Sequence, residues 1–212
     1  MSTNRVVVFG TRDLASLAHF YLSRHTPFTV VAFTVDEPYL PTEGTFEGKP
    51  VLSFETIEQG YACDKFKFFA PVAHNSHRAR IYNAAKVKGY ELISYVSPRA
   101  TVLNSHIGDN CFILEDNTIQ PFVVIGNNVV MWSGNHIGHH SIIHDHVFFT
   151  SHVVLSGHCT VGEHCFFGVN STIRDGLTIA EGTTVAMGAC VVKDTEPWGT
   201  YIGVPAKRKI EG

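Results

Sequence analysis

The sequence predicts a small Rossmann-like α/β domain over residues 1–97, followed by a parallel β-helix over residues 98–212. Two observations carry this. Up to residue 97, strand-like apolar runs alternate with segments of helical spacing, and such alternation builds parallel sheets covered by helices. Beyond Ser97-Pro98 an apolar residue recurs at every sixth position, a period that belongs neither to a helix nor to a plain strand.

In the first part, Arg5–Gly10 reads as a buried strand and Leu14–Ser23 as a helix. Phe28–Asp36 is a second strand, with Asp36 at its carboxyl end. Val51-Leu52 is a short extended piece before a helix over Phe54–Gln59. Phe66–Val72 is a third strand, Arg78–Lys88 a helix and Glu91–Val96 a fourth strand. Ligands of such sheets sit at the carboxyl ends of the strands. That gathers Gly10-Thr11-Arg12, Asp36 and the Ala73–Arg78 turn into one candidate region, although Gly10-Thr11-Arg12 also suits a plain strand-to-helix turn.

From Ile107 to Val191 every sixth residue is apolar, fifteen in succession without a slip. Four residues after each stands a mostly small or β-branched side chain, among them Cys111, Asn117, Val123, Asn135, Cys159 and Cys165. This is the repeat of a parallel β-helix of roughly five coils. Each hexad forms one face, three form a coil, and the apolar residue points inward. The small residue lets the chain turn the corner. Gly108, Gly126, Gly138, Gly162 and Gly168 follow the apolar residue, where backbone freedom is expected to be useful. Trp198–Lys209 is expected to cover the last coil.

Composition narrows the partners. The net charge is −3 with no basic run, which leaves no electrostatic footprint for nucleic acid. No apolar stretch approaches the ~20 residues of a membrane span. The start, Met1-Ser2-Thr3-Asn4-Arg5, does not read as a signal peptide. Five cysteines without a CxxC pair read as free thiols of a cytoplasmic protein. Cys111, Cys159 and Cys165 fill the small interior slot, which fits packing rather than catalysis.

Eight of the 13 histidines fall between His136 and His164. The third and fourth residues of a hexad are expected to point outward, which applies to His139 and His140. One coil later the same place holds Gly157 and His158, and adjacent faces add Asn135, His136, Asp145, His146 and His152. An imidazole titrating near ~6.5 takes and returns a proton near neutral pH. Acyl transfer from a thioester needs such a base, with donors aimed at the developing oxyanion. Gly157 has no side chain to cover its N–H. His106, His144, His152 and His164 read as outward polar residues. For His136 and His158 the readings of site-shaping and of plain surface stay open.

Asn135-His136-Ile137-Gly138-His139, with Leu155-Ser156-Gly157-His158 after it, resembles the hexapeptide acyltransferases. With the closing Gly203-Val204-Pro205-Ala206-Lys207, the whole chain is similar to the sialic acid O-acetyltransferase-like sugar acetyltransferases of bacillosamine and perosamine N-acetyltransferase type. The resemblance implies left-handed coils, acetyl-CoA as co-substrate, no metal, and a nucleotide-linked sugar acceptor destined for surface glycan. It also implies a homotrimer with active sites at subunit interfaces.

On the same resemblance, His139 is the general base and the Gly157 amide meets the thioester oxygen. His140 stands where relatives carry Asp or Glu, so Asp145, or Glu115 or Asp116 of a second copy, are substitutes for that acid. Phe148, Val169 and Met187 line the pantetheine channel, and Lys207 and Arg208 meet coenzyme A phosphates. Gly10, Thr11, Arg12, Asp36, Asn75 and Arg78 bind the nucleotide-sugar, with Asn135 and His136 beside the acceptor.

Two other readings stand beside this one. The γ-class carbonic anhydrases share the repeat, and His139 and His144 resemble two of their zinc ligands, although Leu103 stands where the third is expected. A non-catalytic sugar-binding scaffold is the other.

Overall fold

The computed structural model describes residues 4–209, so the opening Met1-Ser2-Thr3 lies outside it. The chain divides into two compact units, Met1–Tyr95 and Val96–Gly212.

In the first unit, β1 (Arg5–Phe9), α1 (Asp13–His25), β2 (Thr29–Val35), β3 (Thr45–Phe46), β4 (Lys49–Ser53), β5 (Lys67–Phe69) and α2 (Asn75–Val87) follow in order. The sheet runs β3-β4-β2-β1-β5. Its β4-β2-β1-β5 part is parallel, and β3 joins β4 antiparallel. Counting parallel strands only, the order is third, second, first, fourth, which is half of a doubly wound sheet, with the reversal between β1 and β5. Val6, Val7, Val8 and Phe68 are fully buried, as expected of strands covered on both faces.

Three expectations need correction. The β3–β4 hairpin reads poorly in sequence because its turn is carried by Glu47 and Gly48 at positive φ. Phe54–Gln59 contributes only a 3₁₀ turn over Ile57–Gln59. The strand expected over Glu91–Val96 is split into a single parallel bridge from Leu92 to Phe68 and a separate two-residue strand, Tyr95–Val96.

The second unit is a left-handed parallel β-helix. From His106 to Val191 two-residue strands stack in register, residues eighteen apart pairing, as in Thr118 to His136 to Val154. Three sheets of six, five and eight strands form the faces. The sixth-position series builds the interior: Ile119, Ile125, Met131, Ile137, Phe149, Leu155 and Phe167 are all fully buried. Each large apolar side chain taken out of water contributes about 1.5–3 kcal/mol.

Polar ladders close the corners. Asn117 Nδ2 donates to the Leu114 and Trp132 carbonyls, and Asn135 Nδ2 donates to Asn117 Oδ1 at 2.9 Å. Among the described residues Ser171 Oγ alone is a buried side-chain polar atom without a hydrogen-bond partner.

The fourth hexad position is left-handed throughout. His140, His146, His152, His158 and His164 have φ between 58° and 65°, in a region where Asn, Asp and His are enriched among residues other than glycine. Corner geometry therefore accounts for five of the clustered histidines. It does not make them all outward: His146 is 7% exposed, and its Nδ1 accepts from Asn128 Nδ2 at 2.8 Å.

The glycines after the apolar residue also have another cause than backbone freedom. A Cβ on Gly138 would stand 2.4 Å from Gly157 N, and one on Gly168 would stand 2.4 Å from Met187 N. The next coil passes too close for any side chain there.

At the carboxyl end Thr200–Ile202 extends one face, and Lys207–Arg208 returns antiparallel to it. The Trp198 ring lies over Gly182 while remaining 65% exposed. Among the described residues no helix is long and apolar enough to cross a membrane.

Candidate functional site

One corner of the β-helix collects the chemistry. His139 and His140 turn the corner on one coil and Gly157 and His158 on the next, all four at the third and fourth hexad positions. The three histidines are exposed. The His139 ring lies across the face of Gly157, where an added Cβ would stand 2.9–3.2 Å from three of the ring atoms. His139 Nδ1 is 3.1 Å from His140 Nδ1, so one ring donates and the other accepts. His140 stacks on His158 with centroids 5.0 Å apart and packs at a 45° tilt against Phe122 at 4.8 Å, and His139 stands edge-on to His158 at 5.0 Å.

The backbone amides of this corner differ in one respect. The His139 N–H donates to Gln120 Oε1 at 3.0 Å, a side chain one coil earlier. The residue that bears the same relation to Gly157 is Gly138, which has no side chain to offer. Among the described residues the Gly157 N–H meets no acceptor. An open amide beside an exposed imidazole can stabilise negative charge while the ring accepts a proton.

The acids considered as partners of His139 are engaged within this chain. Asp145 accepts the Asn127 N–H at 2.7 Å, Glu115 accepts the Ser133 hydroxyl at 3.0 Å, and Asp116 pairs with Arg99.

Several expected site residues turn out to be structural. Asn135 is 1% exposed and bonded within its ladder, accepting the Val153 N–H at 2.8 Å, so its amide does not face an acceptor. Phe148 is 5% exposed beneath Phe166, with ring centroids 5.5 Å apart, so it does not line an open channel within this chain. Val169 and Met187 are exposed, but they share a different corner with Ser133 and Ser151. His136 lies in a strand of the face that leads into the His139 corner and is half-buried. Lys207 is exposed, whereas Arg208 forms an ion pair with Glu196.

In the α/β unit the expected residues gather at the carboxyl ends of β1, β2 and β5. Gly10 adopts φ +109°, and its N–H donates to Thr34 O at 2.8 Å, leading through Thr11 and the exposed Arg12 into α1. Arg78, expected to meet ligand, is fully buried. Its guanidinium donates to the Val72 and Ala73 carbonyls and to Asn75 Oδ1, bracing the loop after β5. Asp36 pairs with Arg80 and lies 3.4 Å from His77 Nε2. Beside it the Ser53 hydroxyl, above all, holds the Glu55 carboxyl below its usual range, and Glu55 also accepts the Glu37 N–H at 3.0 Å.

The metal reading based on His139 and His144 loses its ligand set. Among the described residues the group with convergent donor atoms is His139, His140 and His158, and His144 is not in it. Sequence reasoning missed Gln120 and Phe122 as neighbours of this corner. The eighteen-residue register, which aligns Phe122, His140 and His158, is the signal that identifies them.

The bacterial transferase hexapeptide (six repeats) model matches residues 104–139. Comparison with curated protein sequences gives no match. Among solved structures, the acetyltransferase domain of PglB from Neisseria gonorrhoeae superposes with a TM-score of 0.89 at 23% identity, over 98% of this chain and 100% of that one. A mutant perosamine N-acetyltransferase from Caulobacter crescentus, in complex with CoA and GDP-perosamine, gives 0.88 at 24% identity over 97% of each chain. WeeI from Acinetobacter baumannii gives 0.87 at 21% identity over 96% of this chain and 99% of its own. The chain has the fold of these proteins, a small α/β unit followed in sequence by a left-handed hexapeptide β-helix.

Proposed function

We propose that this protein is an acyltransferase that moves the acetyl group of acetyl-CoA to the amine, or a hydroxyl, of a nucleotide-linked sugar, the amine being favoured. The observation that carries the reading is the exposed His139 imidazole lying across Gly157, whose N–H meets no acceptor among the described residues. The donor and acceptor classes are supported by structures alike over nearly the full chain. One is an acetyltransferase domain solved with acetyl coenzyme A, and another an N-acetyltransferase solved with CoA and GDP-perosamine.

The residues divide the work as follows. With the His139 Nδ1–H donating to His140 Nδ1, the His139 Nε2 lone pair is free to take the acceptor proton as its nitrogen attacks the thioester carbon. The Gly157 N–H then donates to the carbonyl oxygen as negative charge builds there. When the intermediate collapses, His139 returns its proton to the departing thiolate. Exposed Lys207 suits a coenzyme A phosphate, and Val169 and Met187 suit a pantetheine arm once a second copy stands beside them. A homotrimer supplies that arrangement. In the α/β unit the crevice where the strand order reverses, with Gly10-Thr11-Arg12 at the start of α1, suits the diphosphate. The five free cysteines fit a cytoplasmic setting, and surface glycan synthesis is the use we assign.

The test is acetyl transfer from acetyl-CoA to a panel of nucleotide-linked amino sugars, read as acetylated product. His139→Ala should lower turnover by about 10²–10⁴ with the substrate KM little changed. Full activity in that variant removes the base assignment. Sugar binding with no turnover by the wild-type protein favours a scaffold.

A further inference from the structure

We propose that His139, His140 and His158 form a binding site for a divalent transition-metal ion of the Zn²⁺ class, and that occupancy reversibly blocks acyl transfer by locking the His139 ring in the tautomer that cannot act as base. The metal-binding part stands on geometry alone. The inhibitory part rests on the acyltransferase reading.

The donor atoms of the three imidazoles all lie within 4.8 Å of one another. His139 Nδ1 and His140 Nδ1 are 3.1 Å apart. A tetrahedral Zn²⁺ with bonds of about 2.0–2.1 Å holds neighbouring ligand nitrogens about 3.3 Å apart, so this pair is already spaced close to one edge of the tetrahedron. Bringing in the third donor needs a side-chain rotation of about 1–2 Å, which exposed rings make freely. The parallel stacking of His140 on His158 must open slightly in that rotation.

The backbones need no rearrangement. His140 and His158 hold the same left-handed corner conformation one coil apart, and the His158 N–H donates to His139 O at 2.9 Å. The group holds no carboxylate or thiolate. Three neutral imidazoles suit Zn²⁺, Cu²⁺ and Ni²⁺ rather than Mg²⁺ or Ca²⁺. Each ring coordinates through one nitrogen and keeps its proton on the other, so neutral rings release no proton. All three side chains are exposed, which leaves an entry path and a fourth position for water. A metal held at His139 Nδ1 fixes the ring proton on Nε2, so the Nε2 lone pair that the acceptor proton requires is lost.

The experiment uses the full chain, stripped of metal with a chelator and dialysed. Zn²⁺ is titrated against a chromophoric chelator, and Co²⁺ is added separately to read ligand-field absorption. A single ion per chain with a tetrahedral Co²⁺ spectrum is expected. His140→Asn and His158→Asn, chosen because asparagine tolerates the left-handed corner, should each weaken Zn²⁺ binding about tenfold or more. His144→Asn should leave it unchanged. No binding by the wild-type chain, or binding that survives both substitutions, overturns the site. Acetylated sugar is then followed by mass spectrometry at rising Zn²⁺, since free coenzyme A thiol also binds the metal. Inhibition that tracks occupancy supports the control, and full turnover at saturating Zn²⁺ overturns it. Zn²⁺ binding by a metal-free chain that acetylates nothing leaves the site standing and removes the acyltransferase reading.

Discussion

Phe149 and Phe33 are both fully buried phenylalanines, one in each unit, and they reach that state by different routes. Phe149 lies on Phe167, centroids 4.5 Å apart and rings 2° from parallel, because both hold the same hexad position one coil apart. Phe33 meets Phe46 edge-on at 4.9 Å and 89°, a contact between β2 and the β3–β4 hairpin that no repeat dictates. In the coils, position along the chain determines the neighbour. In the α/β unit the neighbour depends on how distant segments are brought together. Effects of substitution should therefore be transferable between coils and idiosyncratic in the sheet.

The largest expected stability effect is that of Phe149→Ala, about 3–5 kcal/mol, because the vacated space is walled by rigid coils. Denaturant unfolding followed by tryptophan fluorescence checks it cleanly, since both tryptophans, Trp132 and Trp198, lie in the β-helix unit. An equal shift for Phe167→Ala supports transferability, and widely different shifts break it. Next comes Gly138→Ala, whose Cβ would press on Gly157 N, with an expected cost of about 1–3 kcal/mol. Gly60→Ala in the α/β unit would meet only Leu52 Cδ2 at 3.9 Å and should be near neutral by thermal melting. His152→Val forces a β-branched residue into the left-handed corner and should cost about 1–2 kcal/mol, whereas His152→Asn should cost little.

The smallest effect concerns the thiols. Burial pushes the Cys165 thiol up to about 12 and raises that of Cys159 as well. Alkylation at mildly alkaline pH should label the half-buried Cys63 and Cys190 and spare Cys159 and Cys165, with mass spectrometry as the readout. The raised value also has a thermodynamic sign. Above the ordinary thiol range of about 8.5 the unfolded chain loses this proton while the folded chain keeps it. The contribution of Cys165 to stability therefore falls as pH rises from there toward 12.

How much could be read in advance follows the same division. The interior from Ile107 to Val191 was legible because each apolar residue answers to one geometric slot. His139 and Gly157 were legible as neighbours because their hexad positions match one coil apart. What sequence obscured were differences within one position: His146 and His158 share the fourth place, yet one is buried against Asn128 and the other exposed. Asn135 looked like a surface amide because nothing in the repeat announces an asparagine ladder. Arg78 looked like a ligand-binding cation, since only the folded loop reveals the carbonyls it satisfies. In the α/β unit the β3–β4 hairpin escaped notice because its strands are short and its turn uses Glu47.

The unbroken register of the β-helix limits how this protein can change length. Losing one residue between Ile107 and Val191 would turn every later core side chain out of the prism, so the damage would propagate to the carboxyl terminus. Gain or loss of a whole turn would instead pass unnoticed by the remaining layers. A gene encoding such a chain is free to grow by duplicating complete turns, or by extruding a loop at a vertex, and by little else.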